Sequence, residues 1–315
     1  MLLFALDADK TLANALAADL DEMLASHEDR AFADGEHKLR PLVDPRGDDC
    51  YVLASLHGDA LASPQDKLVA LLSFAATLRD HDARRVTALV PYLAYARKDR
   101  RTKPFDPVTL RYVAQWCEAS GVDRLVVLEA HNPAALDNAF RCPVVHLPAH
   151  PLFEAPATAG PLVVVSPDIG GAKRAQLWRE HLQARLGREI GFALVDKRRS
   201  AGVVSGGHLV AGDVAGATAL LLDDLVASGE TLLRAAQALR RAGAREVLAH
   251  AAHGLFIPPA AELLADAAIA RLVVTDSVPP QRLPADGPVA RKLQVVSAAR
   301  LFAQAVRACH DAWQG

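Results

Sequence analysis

The stretch LLLDDLVASGET, residues 220–231, is the part of the sequence that indicates the fold most directly. Its leucines follow the apolar residues 217–219, so the run is typical of a fully buried strand in a parallel sheet. Beyond the stretch, apolar residues recur at helical spacing at Leu232, Ala236 and Leu239, with basic residues on the other face. The sequence therefore predicts a strand, a tight loop and a helix.

The predicted strand ends in two adjacent carboxylates, Asp223 and Asp224, followed by small residues. Backbone N–H groups and the positive end of a helix dipole converge on a loop of this kind, which suits a bound phosphate. The same pattern also fits an ordinary strand-to-helix turn whose carboxylates are solvated. The loop alone leaves both interpretations open.

The composition is that of a globular protein. The chain has 315 residues, 51% of them hydrophobic and 23% charged, with a formal net charge of −2. This length suits two α/β domains better than one. We expect no membrane segment, because no apolar run is long enough, and no nucleic-acid partner, because no global positive charge attracts one. The four cysteines show neither metal-ligand nor disulfide spacing, so the expected location is cytoplasmic.

Two basic clusters follow predicted strands. YARKDRRTK (95–103) comes after a Val- and Leu-rich run, and VDKRR (195–199) comes after the short apolar stretch 192–195. Ligands of open α/β sheets bind at the carboxyl ends of strands, so both clusters are placed to meet an anionic substrate. A run of charges is more often simply solvated. Two clusters at strand ends weaken that alternative.

The two halves of the chain resemble each other. Residues 83–86 (ARRV) align with 244–247 (AREV), and 124–127 (RLVV) align with 271–274 (RLVV). In each half a helix leads into a strand, then a helix and another strand. These similarities predict two related α/β halves joined near the Pro-rich segment 146–161. Chance similarity among Ala-, Leu-, Val- and Arg-rich segments is the alternative.

Five motifs together carry a family resemblance. In chain order they are FADGE (32–36), PYLAYARKDRR (91–101), SPDIGG (166–171), VDKRR (195–199) and LLLDDLVASGET (220–231). With these motifs the chain resembles the ribose-phosphate diphosphokinase family, also called phosphoribosyl-diphosphate synthetases, over nearly its whole length. The last motif resembles the phosphoribosyl-diphosphate loop of type I phosphoribosyltransferases.

The resemblance implies an α/β fold of two tandem type I phosphoribosyltransferase-like domains, each a mainly parallel sheet flanked by helices. The expected N-terminal domain, on the ATP side, comprises residues 1–147 and is joined by a C-terminal helix of residues 298–315. The expected C-terminal domain, on the ribose 5-phosphate side, comprises residues 148–297.

The implied reaction transfers the diphosphoryl group of ATP to the 1-hydroxyl of ribose 5-phosphate, with Mg²⁺ as cofactor. Two other functions share part of this pattern. A nucleobase phosphoribosyltransferase shares the DD loop but needs neither a second half nor the two basic clusters. A catalytically silent regulatory paralogue typically has insertions or altered catalytic loops, and this chain shows no insertion.

The resemblance also assigns residues. The expected catalytic residues are Lys197 and Arg199. The expected ribose 5-phosphate site comprises Arg199, Asp223, Asp224, Ala227, Ser228, Gly229, Glu230 and Thr231. The expected ATP site comprises Phe32, Asp34, Gly35, Glu36, Arg97 and Lys98. The expected metal-associated residues are His131 and Asp168. In the family the FADGE segment serves a neighbouring subunit, so we expect a homo-oligomer, either a dimer or a hexamer built from dimers.

The chain departs from the family pattern at several positions. Glu230 stands where the phosphate loop usually has glycine, and we expect its side chain to point outward. Lys98 replaces a glutamine, which leaves the diphosphoryl donor open. Glu129 replaces an aspartate two residues before His131. The chain ends in VRACHDAWQG, without the Ser-rich segment of the family's phosphate-binding regulatory site, so we expect reduced activation by phosphate.

Overall fold

The computed structural model describes residues 1–6, 10–200 and 203–312, with the backbone alone for 196–200 and 203–208. The chain forms two compact units. Unit 1 comprises Met1–Pro148 and Ser297–Gly315, and unit 2 comprises Ala149–Val296. In the described residues, no helix is both long and apolar enough to cross a membrane.

Unit 1 contains a five-stranded sheet and a separate two-stranded hairpin. All strands of the larger sheet are parallel, in the order β1-β4-β5-β6-β7, while β2 pairs with β3 as the hairpin. The elements of unit 1 are β1 (Leu2–Ala5), α1 (Thr11–Leu20), β2 (His27–Ala31), β3 (His37–Pro41), β4 (Asp49–Leu53), α2 (Pro64–Asp80), β5 (Arg85–Val90), α3 (Thr109–Ala119), β6 (Arg124–Leu128), α4 (Pro133–Ala139), β7 (Val144–Leu147) and, near the C-terminus, α8 (Ala299–Asp311).

Helix α2 shows why the sequence folds as it does in unit 1. Pro64 opens the helix, and Ser63 and Asp66 form a reciprocal capping box that satisfies two backbone N–H groups. The helix then buries Leu71 and Phe74 against the sheet, where Phe74 meets Phe4 of β1 edge-to-face.

A buried carboxylate joins the C-terminal helix α8 to the sheet of unit 1. Asp49, at the amino end of β4, receives two hydrogen bonds from Arg85 on β5, at 3.1 and 2.8 Å. It also accepts from the Tyr51 hydroxyl at 3.1 Å, and His310 of α8 lies 2.9 Å away. Asp49 is only 6% exposed, so this cluster depends on mutual pairing rather than on solvent.

Unit 2 contains a seven-stranded sheet in the order β10-β9-β8-β11-β12-β13-β14, parallel except for β10. Its elements are β8 (Leu162–Ser166), α5 (Ala172–Leu186), β9 (Gly191–Ser200), β10 (Val203–Ala211), β11 (Thr218–Val226), α6 (Glu230–Arg241), β12 (Glu246–Gly254), α7 (Ala260–Leu263), β13 (Arg271–Thr275) and β14 (Leu293–Val296).

Helices cover both faces of this sheet. On β12, Ala249 belongs to the core that includes Leu239 of α6. Its neighbour His250 points to the other face, where it contacts Trp178 of α5 and Phe153. Burial lowers the pKa of His250 to about 4, so it is a neutral core residue near pH 7. The α/β fold class predicted from the sequence is confirmed.

The strand order of unit 2 reverses between β8 and β11. The chain leaves β8 towards β9 on one side, and β11 then pairs with β8 on the other side. In open α/β sheets, ligands bind outside the carboxyl ends of strands at such a point. The fold therefore indicates a candidate ligand site at the loops that follow β8 and β11.

The predicted internal duplication is visible in equivalent contacts. Arg79, near the end of α2, donates to the carbonyls of residues 83 and 84 in the loop before β5. Arg240, near the end of α6, donates to the carbonyls of residues 244 and 245 before β12. These loops are the segments that align in the sequence. The aligned strands are also equivalent neighbours, β5 beside β6 and β12 beside β13.

Replacing Asp49 with alanine should lower the free energy of unfolding by about 3–5 kcal/mol, because it removes the buried carboxylate that pairs with the largely buried Arg85 charge. For a domain of this size, the thermal unfolding midpoint should fall by roughly 6 °C or more. Asp29→Ala is the control, since Asp29 forms an exposed ion pair with His37 that is worth less than about 1 kcal/mol. Equal shifts in the two variants would contradict a special role for the Asp49 cluster.

Candidate active site

The two adjacent carboxylates lie within strand β11. The sequence predicted that the strand ends in Asp223 and Asp224, and the pairing of β11 with β12 continues two residues further, to Val226. The strand is longer than predicted because ladder pairing with a long neighbour extends it. Asp224 is buried, Asp223 is half-buried, and Oδ1 of Asp223 accepts the N–H of Asp224 at 2.8 Å.

The environment of Asp223 disfavours its negative charge. Burial, followed by the neighbouring Asp224, raises the pKa of Asp223 well above its usual value. Arg174, in the first turn of α5, acts in the opposite direction through its positive charge. Sequence reasoning missed Arg174, although its position just after SPDIGG was a usable signal. Two close carboxylates with little solvent favour a ligand that donates hydrogen bonds or carries positive charge.

The loop after β11 leaves the amino end of α6 open. The helix begins at Glu230, one residue before the predicted start, and its N-cap residue Gly229 provides no side-chain cap. Ser228 Oγ accepts the N–H of Glu230 at 3.5 Å, which is a long and weak hydrogen bond. The first N–H groups of a helix have no partner within the helix, so they can donate to an anion. Glu230 is exposed and forms an ion pair with Arg234, one turn along the same helix. Ala227, Ser228 and Thr231 complete the loop.

Gly229 is required at this position for two reasons. Its φ of 83° lies in the left-handed region that favours glycine. A Cβ atom there would also lie 2.7 Å from Cγ of Leu264, just beyond α7. The loop is therefore closely packed from behind, which fixes the direction of its N–H groups.

Asp168 lies in the loop after β8, the strand beside β11. Its Oδ1 accepts the N–H of Gly171 at 3.0 Å, and its carbonyl accepts from Ser166 Oγ at 2.7 Å. Because β8 and β11 are parallel neighbours, their following loops leave the same edge of the sheet. The structure thus brings together Asp168, the two carboxylates of β11 and the loop 227–231 at the reversal of strand order.

Lys197 and Arg199 lie on strand β9, where their backbones pair with His208 and Val204 of β10. Their side chains lie outside the described residues. The small-residue segment that follows them forms strand β10 in the described part of the chain.

In unit 1, Arg97 and Lys98 lie in the turn after β5. Arg97 is exposed. Lys98 forms an ion pair with Asp106 at 2.6 Å, and the same carboxylate accepts from the N–H and hydroxyl of Thr102. The Lys98 charge, followed by the Thr102 hydroxyl, lowers the pKa of Asp106 well below its usual value. Lys98 is thus engaged within its own loop, an interaction that the sequence did not indicate.

His131 lies on the segment after β6, the neighbour of β5, and is exposed. Hydrogen bonds hold the residues on both sides of His131. The N–H of Ala130 donates to His146 Nε2 at 3.0 Å. Asn132 caps α4 and donates to Asp99 at 2.7 Å. Arg97 and His131 are therefore on neighbouring segments at the carboxyl edge of the unit 1 sheet.

The FADGE motif forms the turn of the β2–β3 hairpin. The N–H of Phe32 donates to the carbonyl of Glu36 at 2.8 Å, and Gly35 takes a left-handed φ of 92°. The Arg30 guanidinium lies over the Phe32 ring, 5.1 Å from its centroid. Phe32, Asp34 and Glu36 are all exposed. The motif is an exposed turn outside the main sheet.

The residues at the unit 2 edge fit Mg²⁺ in one respect. Among the residues that the structure describes, no group of three or more His, Cys, Asp or Glu side chains could hold a metal ion. Mg²⁺ usually takes one or two carboxylates and completes its shell with water and substrate phosphates. The exposed carboxylate of Asp168, fixed by Gly171 through one oxygen only, suits that kind of shared coordination.

Comparison with known proteins gives consistent matches. The family profile described as the N-terminal domain of ribose phosphate pyrophosphokinase matches residues 1–121, and a phosphoribosyl synthetase-associated domain matches residues 206–313. A ribose-phosphate pyrophosphokinase from Caldanaerobacter subterraneus is 35% identical, covering 98% of this chain and 94% of the relative. One from Brucella melitensis is also 35% identical, covering 97% and 96%.

A solved structure agrees with these matches. The crystal structure of phosphoribosylpyrophosphate synthetase from Mycobacterium smegmatis is similar to this chain with a TM-score of 0.86 and 32% identity. The similarity covers 98% of both chains.

Asp223→Asn should stabilise the ligand-free protein, and more so as pH rises. A carboxyl with a raised pKa in the folded state binds a proton that the unfolded chain releases, so its stabilising effect is lost as pH rises through the folded value. The asparagine variant has no such loss, and each unit of raised pKa corresponds to about 1.4 kcal/mol. The measurement is the unfolding midpoint of both proteins from about pH 4 to about pH 8.

Asp286→Asn provides the control for this pH series, because Asp286 is an exposed carboxylate in the same unit. Its midpoint should follow the wild type at every pH. A difference between Asp223→Asn and wild type that does not change with pH would show that the pKa of Asp223 is not raised in the folded protein.

Proposed function

The chain belongs to the ribose-phosphate pyrophosphokinase family, and we propose that it transfers the diphosphoryl group of ATP to the 1-hydroxyl of ribose 5-phosphate. The products are AMP and phosphoribosyl diphosphate. The observation that carries the proposal is the carboxyl edge of unit 2, where Asp223 and Asp224 precede the uncapped start of α6. Carboxylates suit sugar hydroxyls, and a helix start suits a phosphate. Because ATP is the donor, the cytoplasm is the proposed location.

In the proposed ribose 5-phosphate site, Asp223 and Asp224 accept hydrogen bonds from the 2- and 3-hydroxyls. The 5-phosphate binds the N–H groups of the loop from Ala227 to Thr231, and Arg199 adds a positive charge. The raised pKa of Asp223 gives this arrangement a physical reason. Hydrogen bonds donated by hydroxyl groups favour the ionised form of a carboxylate. Binding of the sugar therefore opposes the effects that raise the pKa of Asp223.

In the proposed ATP site, Arg97 contacts the triphosphate, and Lys98 acts mainly by shaping the loop through Asp106. The hairpin turn, with Phe32, Asp34, Gly35 and Glu36, serves the adenine and ribose of a neighbouring subunit. Its exposure and its separation from the main sheet are compatible with that use. A homo-oligomer, as a dimer or a hexamer built from dimers, is part of the proposal.

His131 in unit 1 and Asp168 in unit 2 are each proposed to associate with Mg²⁺. Bound Mg²⁺ would supply charge neutralisation on the phosphate oxygens. Hydrogen bonds made by Ala130 and Asn132 hold the chain on both sides of His131, and the Asp168 carboxylate is held by the N–H of Gly171. Both metal-associated residues therefore have a fixed position in their segments.

The proposed chemistry needs little beyond positioning and charge. The 1-hydroxyl oxygen bonds to the β-phosphorus of ATP, the bond from that phosphorus to the α,β-bridging oxygen breaks, and AMP leaves with that oxygen. The hydroxyl proton is released to solvent. Lys197 and Arg199 stabilise the charge that develops on the transferred group, where preorganised cations are most effective.

Two alternative functions have less support. A nucleobase phosphoribosyltransferase has no use for unit 1, whose residues 1–121 match the pyrophosphokinase profile. A silent regulatory paralogue has no need for His131, Asp168, Lys197 and Arg199, all of which are present. AMP formation from ATP that depends on ribose 5-phosphate tests the proposal against both, and AMP formation that does not respond to the sugar phosphate would contradict it.

Asp223→Ala should weaken ribose 5-phosphate binding by roughly 10-fold or more, because buried polar partners of the sugar hydroxyls are lost. Asp224→Ala should also weaken ribose 5-phosphate binding, but by a smaller factor. ATP binding should change by less than about 3-fold. Isothermal titration with each ligand measures both, with Asp286→Ala as the control. Equal losses for both ligands would point to a structural role.

Lys197→Ala should lower kcat by roughly 10²-fold or more with modest changes in KM, because its charge acts chiefly in the transition state. Initial rates of AMP formation measure this. Arg185→Ala, which removes an exposed cation in the last turn of α5, is the control and should leave kcat unchanged. An unchanged kcat in Lys197→Ala would remove Lys197 from the proposed mechanism.

A further inference from the structure

One amide side chain links the two segments of unit 1 that carry proposed site residues. Asn132 donates through Nδ2 to Asp99 Oδ2 at 2.7 Å. Asp99 is two residues beyond Arg97, and Asn132 directly follows His131. Both side chains are half-buried, so solvent competes only in part for this bond. A hydrogen bond to an ionised acceptor is shorter and stronger than a neutral one.

Each of the two segments is also held by a second interaction. The Asp99 side is held by the Lys98–Asp106 ion pair at 2.6 Å. The His131 side is held by the bond from Ala130 N–H to His146 Nε2 at 3.0 Å. The Asp99–Asn132 bond therefore connects two segments that are already well ordered. Its length sets the spacing of the backbones that carry Arg97 and His131.

We propose that Asp99 and Asn132 are a positioning pair that holds Arg97 and His131 in the relative geometry needed by the ATP triphosphate. This inference rests on the proposed function. Neither side chain of the pair is assigned to ATP itself. Reacting groups must be held to within a fraction of an ångström, and a misplacement of about 1 Å costs roughly 10²-fold in rate. Loosening the link should therefore affect ATP use far more than ribose 5-phosphate use.

The competing explanation is that Asn132 matters only as the N-cap of α4. Its Oδ1 accepts the N–H of Ala135 at 3.2 Å, so it has that role as well. The two roles use different atoms and can be separated. Aspartate is as good an N-cap as asparagine. Asn132→Asp thus keeps the cap, removes the donor to Asp99 and sets two carboxylates against each other.

The reverse exchange supplies a rescue. In the double variant Asp99→Asn/Asn132→Asp, the amide and the carboxylate change places, and the hydrogen bond can form with opposite polarity. The single variant Asp99→Asn retains an oxygen that accepts from Asn132 and should lose little. The control is Asn138→Asp, which introduces the same charge change on α4 at an exposed residue that bonds only within its helix.

The experiment measures AMP formation by the full chain with ATP, ribose 5-phosphate and Mg²⁺, in wild type and the four variants. Asn132→Asp should raise the KM for ATP or lower kcat by roughly 10-fold or more, with the KM for ribose 5-phosphate within about 2-fold of wild type. The double variant should recover to within about 3-fold of wild type. Asn138→Asp should match wild type.

Wild-type kinetics in Asn132→Asp would overturn the proposal, as would a double variant no more active than Asn132→Asp. Equal losses in the use of both substrates, together with a lower unfolding midpoint and no rescue, would also overturn it, because they would show a general structural role of Asn132 rather than the positioning of Arg97 and His131. Absence of ribose 5-phosphate-dependent AMP formation in the wild type would contradict the proposed function itself, and the positioning role with it.

Discussion

The burial of two neighbouring carboxylates inside a parallel strand, together with their mutual repulsion, is the constraint on which the rest of unit 2 depends. Asp223 and Asp224 lie in the part of β11 that pairs with β12, beyond the end of its pairing with β8. Water is scarce there, and the pKa of Asp223 is raised accordingly. A fold does not keep such a pair for stability. The features around it, namely the reversed strand order, the uncapped helix and the nearby positive charge of Arg174, support the proposed site for a sugar phosphate.

The contrast with Asp49 shows that the same chemical group serves two purposes in this chain. Asp49 lies at the amino end of β4, where Arg85, Tyr51 and His310 satisfy both of its oxygens. Asp223 lies at a carboxyl edge and has a like charge beside it. The paired carboxylate stabilises unit 1, whereas the carboxylates of β11 in unit 2 are the groups that we propose bind the sugar. The stabilising carboxylate thus lies at the amino end of its strand, and the proposed binding carboxylate lies near the carboxyl end of its strand.

The sequence predicted those features that follow from local spacing. The leucines at 220–222 and the helical repeat after them identified β11 and α6, and the similarity of 83–86 to 244–247 identified two related halves. Features that depend on partners distant in the chain were missed. The continuation of β11 to Val226 depends on β12. The commitment of Lys98 to Asp106, and the link from Asn132 to Asp99, depend on loop conformations that residue spacing does not reveal. The roles carried over from the family for Lys197, Arg199, His131 and Asp168 remain proposals.

Proton release on binding of ribose 5-phosphate tests the central claim most directly. If the sugar hydroxyls bind an ionised Asp223 whose pKa is raised in the empty site, binding must release a proton from that carboxyl. Calorimetric titrations in buffers of different ionisation enthalpy, from about pH 5 to about pH 8, count the protons released. The account predicts that wild type releases more protons than Asp223→Asn within part of this range, the variant leaving only the contribution of the ligand phosphate. Equal proton release by the two proteins at every pH would contradict it.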